Sequence, residues 1–163
     1  MSQKVVFLDR DGTINVDYGY VYKVSDLKLL PGVEKALKLF QNMGFKLIVI
    51  TNQSGIGRDL YTMTDVIKFN NALNTELEKF DVHIEEFFIC PHTPEDKCCC
   101  RKPSPFMVLE AIKKYDVQET TSYLFGDKLS DIECGHNAGI TSFLVTKDRS
   151  LLYWANLLTR QLL

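Results

Sequence analysis

Five short apolar runs punctuate the chain: Val5 to Leu8, Leu47 to Ile50, Phe87 to Ile89, Tyr123 to Phe125 and Phe143 to Val145. Each has the length and the β-branched or aromatic content of a buried strand. Between them the apolar residues recur with a helical period. Val33, Leu37 and Phe40 form one stripe, closed by Gly44 as a C-terminal cap, and Val66, Phe69, Leu73, Leu77 and Phe80 form a second. A third runs through Val108, Ile112 and Tyr115, with Ser104 and Pro105 as its N-cap and first-turn pair. Strand and helix alternating in this way predict an α/β protein, a mainly parallel sheet covered by helices on both faces, with ligands bound at the carboxyl ends of the strands. No repeat, low-complexity tract or linker interrupts the pattern, so residues 1–163 are expected to form one domain.

Charge narrows the partners. A net charge of −2 leaves no basic surplus to neutralise a nucleic-acid backbone, although a local basic cluster can still hold a small anion. The opening "MSQKVVFLDRDG" turns acidic before an apolar stretch reaches signal-peptide length, and no run approaches the ~18 apolar residues of a membrane span. A cytoplasmic protein with neither nucleic-acid nor membrane partner is the expectation. The segment "SLLYWANLLTRQLL" carries one charged residue, Arg160, and places Leu151, Trp154, Leu158 and Leu162 near helical spacing. It reads as a helix that closes the sheet of a monomer, the alternative being a dimer contact.

Four segments bring chemistry to strand ends. "VVFLDRDGTI" delivers Asp9 and Asp11 two residues apart, followed by Gly12 for a sharp turn. "VITNQSG" offers the Thr51 hydroxyl and the Asn52 amide to a bound oxyanion, with Gly55 leaving the backbone free to approach. "CRKP" supplies Arg101 and Lys102, and "LFGDKLSD" supplies Asp127 and Asp131. Taken singly, each is an ordinary polar turn. Repeated at successive strand ends, they converge on one pocket.

The stretch "ICPHTPEDKCCCRKP" gathers four of the five cysteines. In a reducing compartment, with an odd cysteine count, metal binding outranks a disulfide or a redox site. The spacing of Cys90, His92, Cys98 and Cys100 suits a closed tetrahedral zinc site with no open position, hence a structural one. Fixing Cys100 would hold the backbone that aims Arg101 and Lys102. Cys99 is left unliganded, Cys134 reads as a small buried hydrophobe, and His83 and His136 are given no role.

In this order and over essentially the whole chain, the four segments resemble the haloacid dehalogenase superfamily of phosphatases. That resemblance implies a three-layer Rossmann-like fold without a large cap domain. It also implies Mg²⁺ held by Asp9, Asp127 and the backbone carbonyl of Asp11, with Asp9 as nucleophile and Asp11 as general acid and base. Thr51, Arg101 and Lys102 would neutralise the transferring phosphoryl group, and Asp131 would support the metal shell or Lys128.

"DRDGTIN", "TNQSG", the paired cysteines before "RKP", and "GDK" are similar to the zinc-containing branch of that superfamily. "NVDYGYVYKVSDLKLLPGV" is similar to the D-glycero-D-manno-heptose 1,7-bisphosphate 7-phosphatases, whereas the five-residue interval between His92 and Cys98 is similar to the histidinol-phosphatases. The first similarity implies a phosphorylated sugar substrate contacted by Asp17, Tyr18, Gly19, Tyr20, Asn52, Gln53, Ser54, Arg58 and Lys128, with Arg58 and Arg101 reading the distal phosphate. The second implies histidinol phosphate. A non-catalytic zinc-stapled binding module is the reading from a different class, and it gives no reason for the polar residues at successive strand ends.

Overall fold

A computed structural model describes residues 1–161. Five strands, β1 (Val5–Leu8), β2 (Lys46–Asn52), β3 (Glu86–Cys90), β4 (Tyr123–Gly126) and β5 (Thr141–Leu144), form one parallel sheet in the order β3-β2-β1-β4-β5. Successive side chains of a strand point to opposite faces, and both faces of this sheet are apolar. Val6, Leu8, Leu47 and Val49 enter one core together with α1 (Val33–Asn42), α3 (Met63–Glu78) and α6 (Leu151–Gln161). Val5, Phe7, Ile48 and Ile50 enter a second core with α4 (Phe106–Tyr115) and α5 (Leu129–Asn137). A short turn of helix, α2 (Ser54–Gly57), follows β2 directly.

The terminal helix α6 closes the sheet. Leu151, Trp154, Ala155 and Leu158 are buried, the helix packs along α1, and the Trp154 indole donates to the Leu144 carbonyl at 3.0 Å. Leu162 lies outside the described residues. No described helix is long and apolar enough to cross a membrane.

Some boundaries differ from the sequence pattern, each for a local reason. β2 runs on to Asn52 because Thr51 and Asn52 pair with Ile89 and Cys90 of β3. β5 starts earlier, at Thr141, in register with Tyr123. The helix α3 ends at Glu78, so Phe80, counted in its apolar stripe, is instead exposed. Pro105 is the cap of α4 and not its first turn; the Ser104 hydroxyl accepts from the Phe106 N–H at 3.3 Å.

β1 neighbours β2 on one side and β4 on the other, so the chain changes direction across the sheet at β1. A crevice at the carboxyl ends of the strands follows from that topology. Asp9, Thr51 and Asp127 each sit within one residue of the end of one of these three strands.

Candidate active site

At those strand ends lies a polar cleft of 270 Å³, with Asp9, Asp11, Arg101, Lys102 and Lys128 in its walls together with Asp17, Gly19 and Tyr20. Its centre is a buried ion cluster. The Lys102 ammonium, 5% exposed as a residue, donates to Asp9 Oδ1 at 2.8 Å, to Asp131 Oδ1 at 2.6 Å and to the Ile50 carbonyl at 2.7 Å. Burial works against the charged lysine, but the two carboxylates outweigh it and hold its pKa above the ordinary lysine value. Burial likewise opposes the Asp9 carboxylate, and Lys102 more than offsets this, leaving Asp9 below the usual carboxylate range.

A lysine so enclosed is costly to remove, because two carboxylates then face each other without a cation. Lys102→Met is expected to lower stability by about 3–5 kcal/mol in Mg²⁺-free buffer. Urea unfolding monitored by circular dichroism measures it, and a loss below about 1 kcal/mol would contradict the ion cluster.

Asp127 completes an acidic group. Ligand atoms of Asp9, Asp127 and Asp131 lie within 4.8 Å of one another. Burial and the adjoining Asp9 push the Asp127 pKa up to about 7, the signature of negative charge in excess of its compensation. Such a set of hard oxygen donors fits a divalent cation such as Mg²⁺. Asp131 is already committed, since its carboxylate also accepts from the Lys128 backbone N–H at 3.1 Å. Asp9 and Asp127 are therefore the side chains free to hold the ion. Gly12, at φ +82°, lies against Asp127: an added Cβ would stand 2.3 Å from Asp127 Oδ2.

The cysteine cluster assembles as a second donor set. Sγ of Cys90, Cys98 and Cys100 and Nδ1 of His92 lie within 4.8 Å of one another. The Cys90–Cys98 and Cys98–Cys100 sulfur separations are 3.7 and 3.8 Å, and Cys90–Cys100 is closer, at 3.0 Å. A zinc tetrahedron with Zn–S bonds of ~2.3 Å has S–S edges of about 3.8 Å; two of the three edges match it, the third opens on binding, and the three sulfurs and one imidazole are a donor set that suits zinc with all positions filled by protein. Burial disfavours the Cys98 thiolate, yet backbone N–H groups of Arg101 and Cys100 bring its pKa down to about 7. Cys99 is exposed and outside the set. Cys134 is buried, as its apolar surroundings imply.

Several residues sit differently from their sequence-based assignments. The Asn52 amide is occupied by the Lys102 backbone, donating to its carbonyl at 3.3 Å and accepting from its N–H at 3.1 Å, so it clamps the lysine segment to β2. Gln53, with Ser54, lines the cleft; it is 2% exposed, and its amide donates to Asp11 Oδ2 at 3.0 Å and to Thr51 Oγ1 at 2.9 Å. Thr51 is buried beside it, 1% exposed and outside the cleft walls. Gly55 makes room for a side chain: a Cβ there would meet the Tyr61 ring at 2.1 Å. Arg58 is outside the cleft walls, paired with Glu95 at 3.6 Å, and Tyr18 lines a separate hollow beside Ser25 and Lys28. Asp17 stays at the cleft and accepts from the Gly19 N–H at 2.8 Å, shaping the turn that presents Tyr20 at φ 50°.

Arg10 escaped the sequence reading. It is fully buried between the two aspartates of the first motif, and an arginine at that place reads as a solvated charge unless its partners are known. Ser130 also lines the cleft.

Comparison with known proteins agrees with this geometry. A family model described as HAD-hydrolase-like matches residues 99–154. The D-glycero-β-D-manno-heptose-1,7-bisphosphate 7-phosphatase of Haemophilus ducreyi is 39% identical over 159 residues, covering 93% of this chain and 87% of its own length. The chain belongs to the family of these HAD-like phosphatases. A D-glycero-α-D-manno-heptose-1,7-bisphosphate 7-phosphatase of Campylobacter jejuni is 37% identical over 91% of this chain and 85% of its own. Among solved structures, the D,D-heptose 1,7-bisphosphate phosphatase from B. bronchiseptica, complexed with magnesium and phosphate, superposes with a TM-score of 0.91. That comparison has 27% identity and covers 98% of this chain and 99% of the other.

Proposed function

We propose that this phosphatase removes the 7-phosphate of D-glycero-D-manno-heptose 1,7-bisphosphate, with Mg²⁺ as its catalytic ion and zinc as a structural one. The observation that carries the reading is the Asp9–Lys102–Asp131 cluster opening on a polar cleft, in a chain whose relatives bear that activity in their names. A phosphate monoester dianion repels a carboxylate nucleophile. Mg²⁺ bound by Asp9, Asp127 and the Asp11 carbonyl would neutralise that repulsion and polarise the phosphoryl oxygens.

Asp9 then attacks phosphorus through a carboxylate oxygen, and the bond from phosphorus to the sugar oxygen breaks. A sugar alkoxide leaves poorly, so a proton from Asp11 accompanies it. In the second half, Asp11 takes a proton from water as the water oxygen attacks the aspartyl-phosphate, releasing inorganic phosphate and restoring Asp9. Lys102, already at hydrogen-bond distance from Asp9, stabilises charge on the transferring group, and Thr51 near the end of β2 shares that role. Arg101 and Lys128, both in the cleft wall, meet the sugar's other polar groups, with Asp17, Gly19 and Tyr20 facing its hydroxyls. The enzyme acts as a cytoplasmic monomer on this reading; in support, α1 covers the apolar face of α6.

Phosphate release with Mg²⁺ from both anomers of heptose 1,7-bisphosphate and from histidinol phosphate tests the substrate. A kcat/KM at least about 100-fold higher for a bisphosphate anomer is expected, about 2.7 kcal/mol of transition-state discrimination. A preference for histidinol phosphate would overturn the sugar assignment.

A further inference from the structure

The carboxylate of Asp11, in the cleft wall, is held by four donor groups from three residues. Asp11 Oδ1 accepts from Arg10 Nε at 3.0 Å and from Asn15 Nδ2 at 2.9 Å; Asp11 Oδ2 accepts from Arg10 Nη2 at 3.1 Å and from Gln53 Nε2 at 3.0 Å. The arginine therefore grips both oxygens with its planar fork, which fixes the plane of the carboxyl group as well as its place. Arg10 is itself immobilised. Its Nη1 donates to Asn70 Oδ1 of α3 at 3.0 Å, its Nη2 to the Val21 carbonyl at 2.7 Å, and its guanidinium lies over the Phe69 ring at 4.3 Å.

The four donors are not equivalent. All are buried, but Arg10 and Asn15 lie behind the cleft, whereas Gln53 is part of its wall. Gln53 in turn cannot flip its amide, because Tyr61 donates its hydroxyl to Gln53 Oε1 at 2.6 Å and Tyr61 stacks on Tyr22 at 4.8 Å. We propose that Arg10 is a positioning residue for catalysis, locking the Asp11 carboxyl so that the oxygen facing Gln53 exchanges its proton with the reacting oxygen in the cleft. The proposal rests on the phosphatase reading of Asp9 and Asp11. In the forward step the proton leaves Asp11 Oδ2 for the departing sugar oxygen as the bond from phosphorus breaks; in hydrolysis the same oxygen recovers a proton from water. Gln53 yields its hydrogen bond while the proton is on Asp11 and regains it afterwards.

A proton donor helps only a poor leaving group, which separates positioning from mere structural support. In a two-step mechanism kcat/KM reports phosphoryl transfer to Asp9 and not the later hydrolysis. Arg10→Lys keeps the charge and loses the fork. Its kcat/KM is expected to fall about 100-fold on heptose 1,7-bisphosphate and by less than about 3-fold on p-nitrophenyl phosphate, whose phenolate departs unaided. Tyr61→Phe, which deletes only the hydroxyl that sets Gln53, is expected to show the same split at about 10-fold, and it decides the matter where Arg10→Lys does not fold. Equal losses on the two substrates, or no loss on either, would overturn the positioning role. Asp9→Asn serves as the separate control: hydrolysis that survived it would overturn the phosphatase reading, and this inference with it.

Discussion

Asp9→Asn is expected to abolish phosphate release, by about 10⁵-fold or more in kcat, while leaving the melting temperature nearly unchanged. The two halves of that expectation have different origins. Activity is lost because the amide neither attacks phosphorus nor serves as an anionic ligand for the cation. Stability survives through cancellation. The variant gives up the attraction of Lys102 for Asp9, an ion pair at 2.8 Å, but its amide oxygen still accepts from the ammonium, and Asp131 remains at 2.6 Å. It also relieves repulsion, since Asp9 is one of the charges that lift Asp127 to about 7 and raise Asp131. The net change is expected within about 1 kcal/mol, because charge removed from an overcrowded anionic cluster costs less than charge removed from a matched pair. Steady-state phosphate release and thermal unfolding, both without and with Mg²⁺, measure the two halves. Residual activity above about one per cent would mean that Asp9 is not the nucleophile.

The strand ends of this fold were legible because a parallel sheet makes its strands continuous apolar runs, and polar residues stop those runs abruptly. Leu8 to Asp9, Ile50 to Thr51 and Gly126 to Asp127 are such stops, all at the carboxyl ends of the strands where the cleft lies. What stayed hidden depended on pairing between distant segments. Nothing in "LDRDG" says that Arg10 is buried: Asp11 beside it could pair with it equally well in water, and the groups that enclose it, Asn70 and the Val21 carbonyl, lie 60 and 11 residues away in the chain. Asn52 and Gln53 look equally suited to a ligand, yet the Lys102 backbone consumes the amide of one and Asp11, Thr51 and Tyr61 that of the other. Loop direction was equally illegible: Arg58 belongs to the segment beside the cleft, and Glu95 draws it away. Local pattern thus located the chemistry, while long-range hydrogen bonding decided which polar groups remain available to a substrate.

Stripping zinc from the cysteine loop is expected to silence the enzyme without touching its Mg²⁺ ligands. The metal-bound protein should carry about one zinc per chain, and chelation followed by Mg²⁺ alone should leave activity at least about 100-fold down, restored only when zinc is returned as well. The reason lies in the connection between the two sites. Cys100 is followed directly by Arg101, whose guanidinium donates to the His92 carbonyl at 3.3 Å, and by Lys102, so two of the three cleft cations hang from zinc ligands. Without the metal, the buried Cys90 and its partners revert to thiols packed sulfur against sulfur, and the loop's order must come from its few hydrogen bonds. Asn52 still clamps the Lys102 backbone, and Lys102 still has two carboxylates to bind. The global fold should therefore persist, with the loss falling on the aim of Arg101 and on the packing of Cys98 and Cys100 against the second core. Cys98→Ser offers the same test without a chelator: zinc content, melting temperature and activity should fall together, while the Mg²⁺ concentration for half-maximal residual activity stays unchanged. Full activity in zinc-free protein would separate the cluster from catalysis and leave the loop's order to the Asn52 clamp alone.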